Sequence, residues 1–171
     1  MTDNKGITLR EAVIKEAAER GVDEFVAVVA DAIRSAVGGE LTAESMMRLN
    51  AEQITLWGFV IMHEEVSDGG FIQLIHNGYG EFLFENPFAK AMRLWGLKDL
   101  SKLLYGVREL YVKHKDEICR EHDDEGFMAL FEKFPEFDDF DDLFIENEES
   151  YVNAVAYHID EHLADFVTIV P

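Results

Sequence analysis

The sequence lacks most of the features that mark secreted and membrane proteins. Of its 171 residues one is cysteine, Cys119, and three are proline, with no low-complexity linker. A single thiol excludes an internal disulfide and suits a reducing compartment. No apolar run reaches the ~18 residues of a membrane span, and the opening residues MTDNKGITLR lack the apolar core of a signal peptide. We therefore expect a cytoplasmic protein that makes no membrane contact.

Basic residues are scarce, and the scarcity lies mainly at one end of the chain. Thirty-five acids against fifteen bases give a net charge of −20. Residues 116–171 hold 18 acids and two bases, a net charge of −16, whereas residues 1–115 hold 17 acids and 13 bases, a net charge of −4. Such a field repels DNA, RNA and anionic membranes and attracts basic partners. A solvated acidic face without a partner explains the charge as well.

Strand patterns are also scarce, because helical periodicity runs through most of the chain. Leu9 begins an apolar stripe with helical spacing. Asn86-Pro87 is typical of a helix start, with Asn as the cap and Pro at the first helical position. A last helix is predicted over residues 150–166. The pattern predicts an all-α fold, a single globular domain over residues 1–171 with about seven to nine helices.

The acidic third is not a plain acidic tail, because it contains phenylalanines at helical spacing. Three precede Pro135 and three follow it, and each set repeats as one helix face does. The six are Phe127, Phe131, Phe134, Phe137, Phe140 and Phe144. A disordered acidic tail would lack such aromatics. We predict a kinked helical segment that docks through its rings and displays its carboxylates on the other side.

The stretch DGGFIQLIHNGYG, residues 68–80, looks at first like a phosphate-binding loop. It has no Lys-Ser or Lys-Thr pair, no GxGxxG turn after a strand, and no basic residue. A mechanical role is simpler: Gly69-Gly70 permits a tight junction between two helices, and Gly78 and Gly80 end the second one. We expect His76, which lies inside this stretch, to be a surface or hydrogen-bonded histidine and not a metal ligand.

The sequence H-x-x-E-H near the C-terminus matches an inverted zinc-protease motif. His158 and His162 lie one helical turn apart and could share a zinc ion, with Glu161 as the base. A catalytic zinc needs a third protein ligand, normally well downstream, and only nine residues follow. Cys119 is a poor nucleophile candidate, because an acidic surround disfavours its thiolate. We therefore predict no cofactor and no metal, and keep a metal-dependent hydrolase as an alternative.

Two short blocks of the sequence are informative together. The first is Asp68-Gly69-Gly70-Phe71, followed by Gln73 and Asn77, after a long apolar helix. The second is Asp141-Asp142-Leu143-Phe144-Ile145. Together they resemble a bacterial family of small acidic helical proteins with a (N/D)GGFxQ…N block and an LDDxFY-type block. The resemblance covers residues 50–166 and does not extend to the first 49 residues.

The best-described members of that family are DNA mimics, acidic dimers that occupy the DNA-binding face of a transcriptional repressor. The resemblance therefore implies a non-enzymatic binding protein whose partner is a basic DNA-binding protein, with no direct binding of nucleic acid. It also allows a homodimer. An immunity or antitoxin protein that blocks a basic nuclease is the other alternative among binding proteins.

Two groups of residues are expected to have different roles. The first block is expected to be structural, because Asp68 is its only anionic residue. Partner binding is expected from the acids of the C-terminal third. They are Asp123, Asp124, Glu125, Glu132, Glu136, Asp138, Asp139, Asp141, Asp142, Glu146, Glu148 and Glu149.

Overall fold

In the computed structural model, which describes residues 3–171, the chain is mostly helical. The all-α fold predicted from the sequence is confirmed. The elements in chain order are β1 (Thr8–Arg10), α1 (Glu11–Arg20), α2 (Val22–Ala36), α3 (Ala43–Met47), α4 (Ala51–His76), α5 (Gly80–Phe84), α6 (Phe88–Leu94), α7 (Lys98–Ile118), α8 (Asp124–Lys133), α9 (Glu136–Glu161), α10 (Leu163–Phe166) and β2 (Thr168–Val170).

The helix count in this part of the chain is ten, against seven to nine expected. Helices α3, α5 and α10 have only four or five residues. Such short helices show too little of a 3.6-residue period to be recognised in a sequence. Among the helices of residues 3–171, none combines the length and the apolar content that crossing a membrane requires.

The described residues separate into two compact units. One consists of the residues up to Val60 together with Ser150–Pro171, and the other is Ile61–Glu149. Helices α4 and α9 contribute residues to both units. The single domain over residues 1–171 stays a prediction, and its first two residues lie outside the described part.

The first unit joins the two ends of the chain through a parallel pair of strands. β1 pairs with β2, with Leu9 opposite Ile169. Leu9 therefore lies in a strand, and its assignment to the first helix was wrong. Fully buried Gln53 supports this junction, because its Nε2 donates to the carbonyls of Asn4 at 2.8 Å and Phe166 at 2.9 Å. Strands of three residues are too short to show an alternation in the sequence.

In the second unit, Asn86-Pro87 and Gly80 have other structural roles than the sequence predicted. Helix α6 begins at Phe88, and the Asn86 amide donates to the Phe82 carbonyl at 3.0 Å, closing helix α5 instead of capping α6. Gly80 does not end a helix but begins α5. A Cβ there would lie 2.4 Å from the Tyr111 ring, so close packing explains this glycine.

Helix α9 is longer than the last helix predicted from the sequence. It begins at Glu136, directly after Pro135, and not at residue 150. The buried stripe of Phe137 and Phe144 continues with Tyr151 along the same helix, so the acidic and the apolar halves form one element. The high acid content of its first half obscured this continuity in the sequence.

Candidate functional site

Helix α4 breaks at Gly69-Gly70, where the sequence predicted a junction. Gly69 has φ −149° and ψ 16°, and Gly70 has φ 75° and ψ −177°. The second pair of angles is open almost only to glycine, because a Cβ would collide with the backbone. The predicted tight junction between two helices is confirmed.

The break is closed by a residue from the second sequence block. The backbone N–H of Phe71 donates to Asp141 Oδ1 at 2.8 Å. A Cβ on Gly70 would lie 2.4 Å from Asp141 Oδ2, so the carboxylate occupies the space that the glycine leaves open. The completely buried ring of Phe71 meets that of Phe144 edge to face, with centroids 6.0 Å apart. The two blocks thus form one joint, which we call the GGF joint (Gly69, Gly70, Phe71, Asp141 and Phe144).

The polar residues of the first block brace the same break. Gln73 Nε2 donates to Asp68 Oδ2 at 2.9 Å and to Glu65 Oε2 at 3.0 Å. Asn77 Nδ2 also donates to Glu65 Oε2, at 2.9 Å. Asp68, Gln73 and Asn77 therefore use their polar groups for hydrogen bonds around the break in α4, which supports a structural role for them. His76 is hydrogen-bonded as expected, because its Nδ1 lies 2.9 Å from the Ile118 carbonyl oxygen.

Asp141 is an unusual carboxylate because it lies in a half-buried position. The pKa of this carboxyl group is raised from 3.8 to about 6, chiefly by burial. The hydrogen bond from the Phe71 N–H opposes the rise, and the charges of Asp138 and Asp142 contribute to it. Desolvation disfavours the charged form more strongly than one backbone N–H stabilises it. This carboxyl group is therefore expected to gain and lose its proton near pH 6.

Helices α8 and α9 dock through their aromatic side chains, as the spacing predicted. Phe127 packs on the His76 ring with centroids 4.9 Å apart, and Phe134 packs on the His114 ring at 4.3 Å. Phe137 and Phe144 are completely buried. The acids of this segment are consequently displayed on a fixed support and not on a mobile tail.

The twelve predicted acids fall into two groups by exposure. Ten of them are exposed, and Asp141 and Glu148 are half-buried. Glu148 Oε1 lies 2.7 Å from Nε2 of His63. Asp141 and Glu148 both contact α4, so the structure gives these two acids a part in packing α9 against α4. Sequence periodicity could not separate them from their neighbours, because Asp141 precedes exposed Asp142 and Glu148 precedes exposed Glu149.

Two of the exposed acids near α8, Asp123 and Glu136, also make local contacts. Asp123 caps α8, since its Oδ1 accepts from the Gly126 N–H at 2.7 Å. Glu136 Oε2 lies 3.3 Å from His114 Nε2. Asp124, like Glu125, lies in the first turn of α8, where the helix dipole favours negative charge. Glu132, later in α8, is exposed.

Five exposed carboxylates follow the outward side of α9, and we call them the acidic row. They are Asp138, Asp139, Asp142, Glu146 and Glu149. Asp138 and Asp139 are consecutive, and from them the row continues through Asp142, Glu146 and Glu149 in steps of three or four residues. Such steps put neighbouring side chains ~5–6 Å apart, and the row extends over about 16 Å of helix axis. No hydrogen bond or ion pair within residues 3–171 engages these five side chains.

The one basic residue among positions 121–171 does not neutralise the acidic row. Lys133 pairs with Glu117, and this hydrogen bond lowers the pKa of the Glu117 carboxyl group. Residues 123–149 thus combine twelve acids with one base whose charge is already paired. The segment presents a field of a single sign.

The H-x-x-E-H residues lie in the first unit and have local contacts. His158 Nε2 is 2.6 Å from Glu52 Oε2, and His162 Nδ1 donates to the His158 carbonyl at 2.9 Å. The two imidazole rings stack with centroids 4.3 Å apart. In the part of the chain that the structure describes, no group of three or more His, Cys, Asp or Glu side chains is arranged to hold a metal ion.

The fold and this surface define a class of protein, an acidic all-helical protein with a docked carboxylate-bearing helix. Comparison with known sequences then specifies the family. The model of the DMP19-like protein family matches residues 47–167. The chain is 35% identical over 127 residues to the DNA mimic protein DMP19 of Neisseria meningitidis serogroup B, covering 74% of this chain and 77% of that protein. The chain belongs to the DMP19-like family.

Proposed function

We propose that this protein is a non-enzymatic DNA mimic whose acidic row occupies the DNA-binding surface of a basic protein, such as a transcriptional regulator. The observation that carries the proposal is the row itself, five exposed and unpaired carboxylates on a rigid helix. The family relationship supports it, since the Neisseria relative is named as a DNA mimic.

The charge spacing of the row is comparable to that of a DNA strand. Five charges over about 16 Å of helix give about one per 4 Å, and one strand of B-DNA presents one phosphate per ~3.4 Å of axis. A groove lined with Arg and Lys for phosphates can accept such carboxylates by the same charge-assisted hydrogen bonds. Helix α8 adds three further exposed acids, Asp124, Glu125 and Glu132, to the negative charge of the second unit.

The test begins with the partner. A pull-down from the host lysate, eluted by salt and analysed by mass spectrometry, identifies it. The captured protein is then titrated with this protein in the presence and absence of its DNA, at about 0.1 M and about 1 M salt, where the Debye length falls from ~10 Å to ~3 Å. A mimic competes with the DNA and binds more weakly at high salt.

Two variants with equal charge separate the row from overall acidity. The row variant replaces Asp138, Asp139 and Asp142 with Asn and Glu146 and Glu149 with Gln. Its matched control removes five exposed charges elsewhere, by the replacements Glu19→Gln, Asp23→Asn, Glu24→Gln, Glu40→Gln and Glu44→Gln.

The row variant should bind more weakly, mainly through slower association, because long-range charge steers the encounter. The control should bind like the parent. Binding that tolerates bound DNA, ignores salt and survives neutralisation of the row would refute the proposal. Capture and inhibition of a nuclease would favour an immunity protein over a regulator of transcription.

A further inference from the structure

The charge of the chain reverses sign in one segment of the second unit. Residues 86–115 contain seven basic and two acidic side chains, a net charge of +5 in a chain at −20. Lys90, Arg93, Lys98 and Lys102 are exposed on α6 and the first half of α7. Within the described residues no hydrogen bond or ion pair engages them, so their charge remains available to a partner.

A groove lies beside these residues, between the α5–α6 connection and α7. Its volume is about 350 Å³. The floor is apolar and buried, and the rim combines an aromatic ring with two cations. Floor and rim include Leu83, Phe84, Leu104, Tyr105, Lys90 and Arg108. An apolar floor with a few charged groups at its edge is the usual composition of a binding site.

Two charged residues of the groove, Arg108 and Glu85, are held by hydrogen bonds. Arg108 Nε donates to the Phe84 carbonyl at 2.9 Å, and the other guanidinium N–H groups have no hydrogen-bond partner in residues 3–171. Glu85, the acid of the groove, accepts a hydrogen bond from the Tyr111 hydroxyl at 2.6 Å. Burial and this carboxylate raise the pKa of Tyr111. Two cations against one engaged carboxylate leave the groove positive.

The groove continues into an exposed stripe of α7. Tyr105 lines the groove and shares one face of the helix with Lys98, Lys102 and Val112, at steps of four, three and seven residues. The rings and methyl groups of Tyr105 and Val112 are exposed. Glu109 lies on the same face and reduces its charge. The stripe spans about 21 Å, which is longer than a small molecule.

We propose that this groove and stripe bind an acidic segment of a protein partner in which carboxylates alternate with apolar side chains. Carboxylates suit Arg108 and Lys90, since a guanidinium holds a carboxylate by two parallel hydrogen bonds. The apolar side chains of the partner segment would cover Tyr105 and Val112, whereas a phosphate backbone alone would leave both exposed. The site lies on other helices than the acidic row and does not depend on the proposed mimicry.

The test measures binding of labelled synthetic peptides to the full protein by fluorescence anisotropy at low salt. Three peptides of equal length alternate Glu with Leu, Glu with Ser, and Lys with Leu. The Glu-Leu peptide should bind saturably, the Glu-Ser peptide more weakly, and the Lys-Leu peptide not in the groove. Two-dimensional NMR should show the shifts of the Glu-Leu complex at α6 and α7.

Variants of the groove decide whether the binding site is the one proposed. The double variant Lys90→Gln, Tyr105→Ala alters two exposed side chains that make no hydrogen bond within the described residues. It should lower the affinity for the Glu-Leu peptide by at least about tenfold, or about 1.4 kcal/mol. Arg108→Lys keeps the charge but loses the bidentate geometry and should also weaken it. Lys15→Gln, which removes one cation from the first unit, is the control and should bind like the parent.

Three results would overturn the proposal. The first is peptide binding that is absent or unaffected by the groove variants. The second is equal competition by inorganic phosphate or citrate, which would indicate a small-anion pocket. The third is a concentration-dependent dimer in sedimentation that the Lys90→Gln, Tyr105→Ala variant abolishes, which would identify the occupant as a second copy of this chain.

Discussion

Replacing Asp141 with Asn tests the GGF joint and separates the structural acid from the binding acids. Because the folded protein raises the pKa of this carboxyl group from 3.8 to about 6, the folded state holds the proton more tightly than the unfolded state. Its contribution to stability is therefore fully present below about pH 3.8 and is lost as the pH rises through about 6. At neutral pH the ionised, half-buried carboxylate destabilises the fold relative to a neutral group.

The size of the effect follows from the pKa shift and is reduced by exposure. Two pKa units correspond to about 3 kcal/mol, and screening of a partly exposed charge lowers this to about 1–2 kcal/mol. An amide oxygen at position 141 can still accept the Phe71 N–H, but it carries no charge to desolvate. Asp141→Asn should thus raise the free energy of unfolding by about 1–2 kcal/mol at pH 7.5, or several degrees in melting temperature.

Asp141→Ala has the opposite expected outcome although it removes the same charge. It leaves the Phe71 N–H without its acceptor and opens space beside Gly70. An unsatisfied buried donor costs about 1–3 kcal/mol, so this variant should be the least stable of the series. Asp142→Asn, which removes the neighbouring exposed charge, is the matched control and should change stability little.

The measurement is urea unfolding of the parent and the three variants between pH 4 and 8. The advantage of Asp141→Asn over the parent should be greatest above pH 7, shrink through pH 6 and vanish near pH 4. A variant that is less stable than the parent at pH 7.5, or an advantage that does not change with pH, would show that the ionised carboxylate is a favourable cap and that our reasoning about its burial is mistaken.

Two further predictions concern the other motifs. Phe71→Ala should cost about 3–5 kcal/mol, because the ring is completely buried; normal thermal stability with loss of partner binding would instead make the joint a recognition site. The double replacement of His158 and His162 with Gln should cost only about 1 kcal/mol and leave partner binding unchanged. The prediction for the two histidines would be contradicted if the purified protein contained stoichiometric zinc and the double variant lost both the zinc and a hydrolytic activity.

Local patterns in the sequence predicted the parts of the fold that depend on neighbouring residues. The break at Gly69-Gly70 and the aromatic faces of α8 and α9 follow from glycine geometry and helical spacing, which act within a few residues. The pairing of Asp141 with Phe71 joins residues 70 positions apart. No local rule distinguishes that carboxylate from the exposed one beside it, so its structural role became visible only in three dimensions.

Charge counting had the same limit at the candidate site. The net charge of the C-terminal third correctly indicated where carboxylates are dense, but it could not show that Glu148 lies against His63 or that Lys133 is paired with Glu117. The basic groove was also invisible, because its residues come from three helices and the connection between them. The positive segment, residues 86–115, belongs to the first two thirds of the chain, which carry a net negative charge as a whole.

The alternation of phenylalanine with aspartate and glutamate in α9 has an energetic reason. Two charges 5–6 Å apart in water repel by about 0.7 kcal/mol, so four neighbouring pairs in the acidic row cost at most about 3 kcal/mol before screening. Phe137 and Phe144 are completely buried, and each ring removes about 150–250 Å² from water, worth about 4–6 kcal/mol as an upper bound. Burial of the two rings therefore outweighs the repulsion between the carboxylates, so the acidic row is compatible with an ordered helix. Neutralising the row should therefore stabilise the fold slightly while weakening the proposed binding, and this opposition of signs separates a functional surface from a structural one.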